Sequence, residues 1–368
     1  MSRLISPLPA PPERIPGKLQ DLDPQSAHLV LRVERLLREK DNVHCKNADL
    51  LLGVSGGTDS LALLVIFAAL RERLGCRLKV CHVNHCLRPT ATAEQDWVAA
   101  FCARLEVEFH SRVADVAALA AQKQIGLEEA GREARLAAFR EIAAQDESLI
   151  VTGHTLNDLA EDVLMRLLRG SGWPALAGMD RFNPKSRIVR PLLFIERAEL
   201  TAFLDRIELP HLEDESNAEP DFLRNRLRLG VVPLLLGENP GWLDQVRTLK
   251  RLGEVDAAYW LAEVERRPAQ IFAPGEIDID FMDYDASRKT VFLDRRHLRD
   301  TPQALRLRLF MHCLQLLGGG QALADNLLAL DRAWLGEGGV SHSSKVIQLP
   351  GRTAARTTKD GLWFYFQN

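Results

Sequence analysis

The chain of 368 residues is short of several things, and each shortage removes a class of function. Its six cysteines, Cys45, Cys76, Cys81, Cys86, Cys102 and Cys313, show no regular spacing and no CxxC pair. Neither a zinc site nor a disulfide framework is therefore expected. No apolar run is long enough to cross a bilayer, and the proline-rich start, Met1 to Lys18, lacks the apolar core of a signal peptide. The expectation is a cytoplasmic protein with a loose leader over residues 1–24 and no membrane partner. An excess of one charge is missing too. The net charge is −3, so composition gives no hint of nucleic-acid binding, although a local basic surface can vanish in such a sum.

What is present suffices for a large core. Hydrophobic residues make up 46% and charged residues 26%, an ordinary globular balance. Apolar residues at helical spacing predict a covering helix over Ser26 to Lys40. The pattern then alternates. Strand-like runs at Asp49–Val54, Arg77–Val83, Val107–Ser111 and Leu149–Thr152 are each followed by helical sequence: Ser60–Leu74, Ala93–Leu105, a stretch reaching Ala144, and Asn157–Arg169. Such alternation implies an α/β fold with a parallel sheet and helices on both faces. Its ligands are expected beyond the carboxyl ends of the strands.

The texture changes near Asn239-Pro240. Helices are predicted over Trp242–Arg266, Pro302–Leu317 and Ala322–Leu335, and short strands over Lys345–Phe366. The expected organisation is a catalytic domain over residues 25–240 and a smaller, mainly helical second domain with a strand-rich tail over 241–368.

Between the first strand and its helix lies Ser55-Gly56-Gly57-Thr58-Asp59-Ser60. Two glycines permit a tight turn and leave no Cβ between the backbone amides and an approaching phosphate. The free N–H groups and dipole at the helix start favour an anion. Ser55 and Ser60 can add hydroxyl donors. The loop has no lysine, so it is not the GxxxxGK[ST] loop. Asp59 would repel a phosphate unless a cation lay between them, and Mg2+ is the cation that takes a carboxylate together with phosphate oxygens. The plain alternative is a capped turn with Asp59 as an N-terminal helix carboxylate.

Other polar groups cluster after the later strands. His82-Val83-Asn84-His85-Cys86-Leu87-Arg88 closes the second strand, without further residues at metal-ligand spacing. Glu128, Glu129, Arg132 and Arg135 fall at helical spacing, which by itself describes a solvated, ion-paired face. After the fourth strand comes Thr152-Gly153-His154-Thr155-Leu156-Asn157-Asp158-Leu159-Ala160-Glu161-Asp162. If the chain is helical from His154, then His154, Asp158 and Glu161 share one face. An acidic cap is the competing reading.

Together these blocks resemble a known family. The hexapeptide is similar to the SGGxDS loop of the ATP pyrophosphatase (PP-loop) superfamily, whose members cleave ATP between the α- and β-phosphates and adenylate a substrate carbonyl. His82–Arg88 resembles the H-V-[DN]-H-x-L-R segment of tRNA(Ile)-lysidine synthetases, and Leu127–Arg135 their E-x-x-x-R-x-x-R element. Thr152–Asp162, running into Arg166–Gly172, resembles H-H-x-[DN]-D-x-x-E-[TD], with Thr155, Asn157 and Leu159 as departures. Arg190-Pro191-Leu192, Glu213–Asn217 and Arg224-Asn225-Arg226-Leu227-Arg228 follow in the family's order. The likeness runs from about Leu50 to Leu236.

The resemblance implies ATP on Ser55–Ser60 with Mg2+ at Asp59, and His82 and Arg88 beside the nucleotide. It implies catalytic roles for Asp59, Arg132, Arg135, His154, Asp158 and Arg224, and substrate contacts from Asp158, Glu161, Arg224 and Arg228. The implied substrates are CAU-anticodon tRNA(Ile) and free L-lysine. The cytidine at the first anticodon position would be adenylated and then joined to lysine, with Asp158, aided by His154, orienting lysine and handling its proton. The second domain would hold the tRNA. The sequence does not specify an oligomeric state and admits a homodimer. Competing readings are a tRNA-cytidine 2-thiolating relative, which the missing CxxC pairs disfavour, and a non-catalytic tRNA-binding descendant.

Overall fold

A computed structural model describes residues 8, 12–38, 45–87, 89–212, 222–276, 284–318, 324–335 and 344–367. The chain forms two compact units. One comprises Met1–Ser171 with Leu176–Lys250, the other Gly172–Ala175 with Arg251–Asn368. The division falls at Lys250, inside a helix, rather than at the change of texture near residue 240.

In the first unit, helix α1 (Pro24–Arg38) precedes strand β1 (Asp49–Gly53), helix α2 (Thr58–Leu74), β2 (Arg77–Asn84) and α3 (Ala91–Arg104). Then come β3 (Glu108–Val113), α4 (Val116–Lys123), α5 (Leu127–Ala143), β4 (Leu149–Thr152) and α6 (Leu156–Leu168). The helical stretch expected up to Ala144 is thus two helices. Gln124 enters the left-handed region (φ 56°), and Gly126 caps α5. The sheet order is β3-β2-β1-β4-β6-β5, where β5 (Phe182–Asn183) and β6 (Ile188–Val189) are short strands that the apolar pattern did not announce. All neighbours are parallel except β5, which is antiparallel to β6. This is the α/β sheet expected from the alternation.

Burial explains the sequence texture. Leu50, Leu51 and Leu52 of β1 are fully buried, as a central parallel strand covered on both faces requires. Helix α2 is apolar nearly all round because it lies against the sheet on one side and against α1 and α7 (Arg197–Arg206) on the other. Its first turn is thereby fixed at the carboxyl edge of β1. The unit ends with α8 (Leu223–Arg226), a π-helical turn over Leu227–Val231, α9 (Val232–Glu238), and the first part of α10 (Trp242–Glu265).

The second unit contains the rest of α10 and an antiparallel sheet in the order β7-β8-β11-β10-β9. Its strands are β7 (Gln270–Phe272), β8 (Thr290–Asp294), β9 (Val346–Leu349), β10 (Thr353–Thr357) and β11 (Gly361–Phe366). Helices α11 (Gln303–Leu317) and α12 (Ala324–Leu335) cover it. Leu309, Phe310, Leu314 and Leu330 pack with Val291, Leu293, Leu362 and Phe364 to form its core. The strands of the tail were expected; β7 and β8, in a stretch of mixed composition, were not. No described helix is long and apolar enough to cross a membrane.

Candidate active site at the carboxyl edge of the sheet

The loop after β1 is shaped by close approaches that only glycine permits. Gly56 has φ +97°, and a Cβ there would lie 2.7 Å from Leu212 Cδ1. The Leu212 amide donates to the Gly56 carbonyl at 3.0 Å and holds the turn from outside. Inside it, the Ser60 hydroxyl accepts from the amides of Ser55 and Gly56, each at 3.2 Å, lies 3.1 Å from Ser55 Oγ, and donates to the Gly57 carbonyl at 2.9 Å. Ser60 is therefore spent on shaping the loop, not offered to a ligand. Gly57, the N-cap of α2, supplies no side-chain cap. The first-turn amides of α2 are left for an anion.

Asp59, in that first turn, faces a residue that the sequence motifs did not single out. Arg197 Nε donates to Asp59 Oδ2 at 2.9 Å, and its Nη2 lies 3.4 Å from Asp158 Oδ1. The other Asp59 oxygen, Oδ1, is buried without a hydrogen-bond partner. Burial, reinforced by Asp158 and opposed by Arg197, pushes the Asp59 carboxyl above the usual range. A buried acceptor with nothing to accept from, beside a phosphate loop, suits a cation. Among the described residues no group of three acidic, His or Cys side chains could cage a metal alone. The arrangement therefore fits Mg2+ that draws its remaining ligands from phosphate and water. Arg197 did leave a faint signal: a cation at the start of a helix opposes the helix dipole and needs a reason to be there.

Helix α6 presents the second cluster. Thr155 is its N-cap, and a reciprocal capping box links it to Asp158: the Thr155 amide and hydroxyl donate to Asp158 Oδ2 at 2.7 and 2.8 Å. Asp158 Oδ1 faces Arg224 Nη2 at 2.9 Å, and the Nη2 atoms of Arg197 and Arg228 at 3.4 Å each. Glu161, one turn on, accepts from Arg224 Nε and Arg228 Nε, both at 2.7 Å. Arg224 and Arg228 belong to α8 and the π-turn after it, so they are not the edge of a solvated helix. Helical π-turns often mark functional positions. Burial would raise the Asp158 pKa, but Arg224 and Arg197 outweigh it and hold the carboxyl well below the usual range.

Both Asp158 oxygens are thus engaged, Oδ2 by Thr155 and Oδ1 by the arginines. The departures at 155, 157 and 159 also find structural uses. Thr155 caps α6, Asn157 Oδ1 accepts from the Arg197 amide at 2.9 Å, and Leu159 is fully buried.

His154 was expected to open this helix, but α6 begins at Leu156, and His154 lies between β4 and the Thr155 cap. Its Nδ1 lies 2.9 Å from Thr152 Oγ1. Burial, with Arg190, Arg224 and Arg135, depresses its pKa to about 3 against the pull of Asp158, so the imidazole is neutral near pH 7. Gly153 makes this proximity possible, since a Cβ there would lie 3.1 Å from the Asp59 carbonyl. Arg132 and Arg135 are exposed on α5, and Arg135 belongs to the electrostatic surroundings of His154. His82 is buried with Nδ1 3.0 Å from the Val54 carbonyl, which makes it a brace beneath the loop. Arg88 and Glu213–Asn217 lie outside the described residues. All six cysteines are free, and burial pushes Cys45, Cys81 and Cys102 up to about 12.

Known proteins share this design. The family model of the PP-loop domain matches residues 26–235. A tRNA(Ile)-lysidine synthase of Nitratidesulfovibrio vulgaris is 46% identical over 310 residues, which covers 81% of this chain and 86% of that one. The chain belongs to the tRNA(Ile)-lysidine synthase family. A second member, from Geobacter sulfurreducens, is 34% identical over 87% of this chain and 66% of its own length. Both matches cover more of the chain than the PP-loop domain occupies, so the likeness to lysidine synthases extends into the second unit. A solved structure, the U34-tRNA thiolase NcsA from Methanococcus maripaludis with its [4Fe-4S] cluster, aligns with a TM-score of 0.50 at 18% identity. It covers 62% of this chain and 80% of that one, and shows a shared fold.

Proposed function

We propose that this lysidine synthase family member uses ATP to join free L-lysine to C2 of the cytidine at the first anticodon position of CAU-anticodon tRNA(Ile). The observation that carries the reading is the buried, unpartnered Asp59 Oδ1 beside an uncapped helix start, on a chain 46% identical to a tRNA(Ile)-lysidine synthase.

The α2 amides hold the phosphates of ATP. Asp59 would hold Mg2+, which would supply neutralisation of phosphate charge. Arg197, paired with Asp59, offsets the charge of that carboxylate. The C2 oxygen of the cytidine attacks the α-phosphorus and pyrophosphate leaves. The ε-amine of lysine then attacks C2 and displaces AMP. That amine is protonated near pH 7 and must lose a proton to attack. We assign lysine orientation and proton handling to Asp158 together with His154, whose Nδ1 is held by Thr152. The field of Arg190, Arg224 and Arg135 weakens the His154 imidazole as a base, and incoming phosphates offset that field. The Asp158–Glu161 pair fixes Arg224 and Arg228 as one edge of the substrate site. The second unit, with its helix-covered sheet, is assigned to tRNA outside the anticodon.

A thiolation reading would need reactive thiolates. Five cysteines are buried, and Cys86 alone is exposed. The deciding experiment combines protein, ATP, Mg2+, lysine and unmodified CAU-anticodon tRNA(Ile), followed by digestion and mass analysis of the nucleosides. A cytidine carrying the lysine mass, dependent on both ATP and lysine, is expected. Pyrophosphate release without lysine transfer would keep the adenylation and discard the nucleophile.

A further inference from the structure

The arginines at the carboxyl edge of the sheet fall into two groups. Arg197, Arg224, Arg228 and Arg166 are each ion-paired to a carboxylate. Arg190 and Arg132 are not so paired among the described residues. Arg190 donates from Nη1 to the Asp180 carbonyl at 2.7 Å, while its Nε is buried with no hydrogen-bond partner. Its position is set by register. Val189 pairs with Val151, so Arg190, the next residue, stands level with Thr152, whose hydroxyl meets His154. Burial, together with the like charges of Arg132 and Arg166, disfavours the Arg190 cation, and Asp180 and Asp162 answer this only in part. A fold that gathers cations without supplying counter-charge leaves a place for an anion.

We propose that Arg190, with Arg132 beside it, binds a backbone phosphate of the RNA substrate next to the nucleotide being modified; this rests on the tRNA reading above. The alternative source of phosphate is ATP, and topology argues against it. The nucleotide loop follows β1, and Arg190 follows β6, two strands away in the order β1-β4-β6. That separation is about 10 Å at ordinary strand spacing. Arg132 is exposed on α5, where a macromolecule can reach it. A planar guanidinium with an uncommitted edge suits two oxygens of one phosphodiester. The same contact would relieve the field on His154 when RNA docks, so the base would gain strength only with substrate in place.

The test measures tRNA affinity of the full chain against salt concentration, using an unmodified CAU-anticodon tRNA(Ile) transcript. For Arg190→Gln, the slope of log affinity against log salt should fall by about one. Affinity at fixed salt should weaken about tenfold. Arg132→Gln should lower the slope in the same way, and in Arg190→Gln the affinity for a Mg2+-bound, non-hydrolysable ATP analogue should stay within about twofold of wild type. Arg190→Lys, which keeps the charge, should keep the slope. An unchanged slope in both glutamine variants would overturn the proposal. So would loss of ATP-analogue affinity with tRNA binding intact, because the phosphate would then be the nucleotide's. Loss of the slope in Arg190→Lys as well, with a lowered melting temperature, would reduce Arg190 to a prop for the Asp180 carbonyl. A wild-type chain that binds no tRNA would refute the functional reading itself.

Discussion

The loop at Ser55–Ser60 and the arginine cluster around α6 lie at the same edge of one sheet, yet they are built on opposite principles. The loop is organised by backbone: two glycines, one hydroxyl that gathers amides, and a helix start left open. The α6 cluster is organised by charge: Asp158 and Glu161 are held by three arginines from α7, α8 and the π-turn. The loop is built from groups that are neutral in sum. The cluster gets its rigidity from ions that would be costly to bury singly. Backbone sites tolerate the loss of one side chain in folding terms but lose chemistry. Ionic lattices lose stability.

That contrast can be broken in order of expected effect. Asp59→Asn, on the loop, should cut pyrophosphate release at least about 100-fold while tRNA affinity and the melting curve barely move. A melting curve shifted as far as that of an α6 variant would erase the distinction. Glu161→Gln, in the cluster, removes one charge from a buried lattice and should cost about 3 kcal/mol of stability, read by denaturant unfolding. A cost near zero would mean that Arg224 and Arg228 find water instead, and that Glu161 does not brace the site.

The smallest effect sharpens the boundary between the two regions, where His154 lies. Its folded pKa, about 3, is below the ordinary value of 6.5. The unfolded chain therefore binds the extra proton, and stability falls as pH drops from about 6.5 towards about 3. His154→Asn should flatten that part of the stability profile, measured by unfolding at several pH values. An unchanged slope would show that the imidazole is solvated and that the arginine field does not reach it.

Particular residues show how far the chain could be read without coordinates. Ser55–Ser60 was legible because strand, glycine turn and helix are contiguous, and local geometry follows from local sequence. The shared face of Asp158 and Glu161 followed from helical spacing, and both meet the same arginines, but His154, expected on that face, precedes the helix. Their chemistry did not follow. The resemblance implied a lysine role for Asp158, while Arg197, Arg224 and Arg228 reach it from positions 39 to 70 residues away. No local pattern encodes such a meeting. Strand β6 was missed because two residues carry too little periodicity to register, and with it went the meaning of Arg190.

The alternating sheet, the glycine loop before α2, the spacing of Asp158 and Glu161 and the family are each written in neighbouring residues or in a fixed order of blocks. The tertiary structure alone brings the Ser60 hydroxyl onto the loop amides, Arg197 onto Asp59, and Arg224 and Arg228 onto Asp158, and leaves Arg190 Nε buried with no hydrogen-bond partner among the described residues. These are properties of distance and burial, and folding sets both by bringing together side chains that the chain keeps far apart.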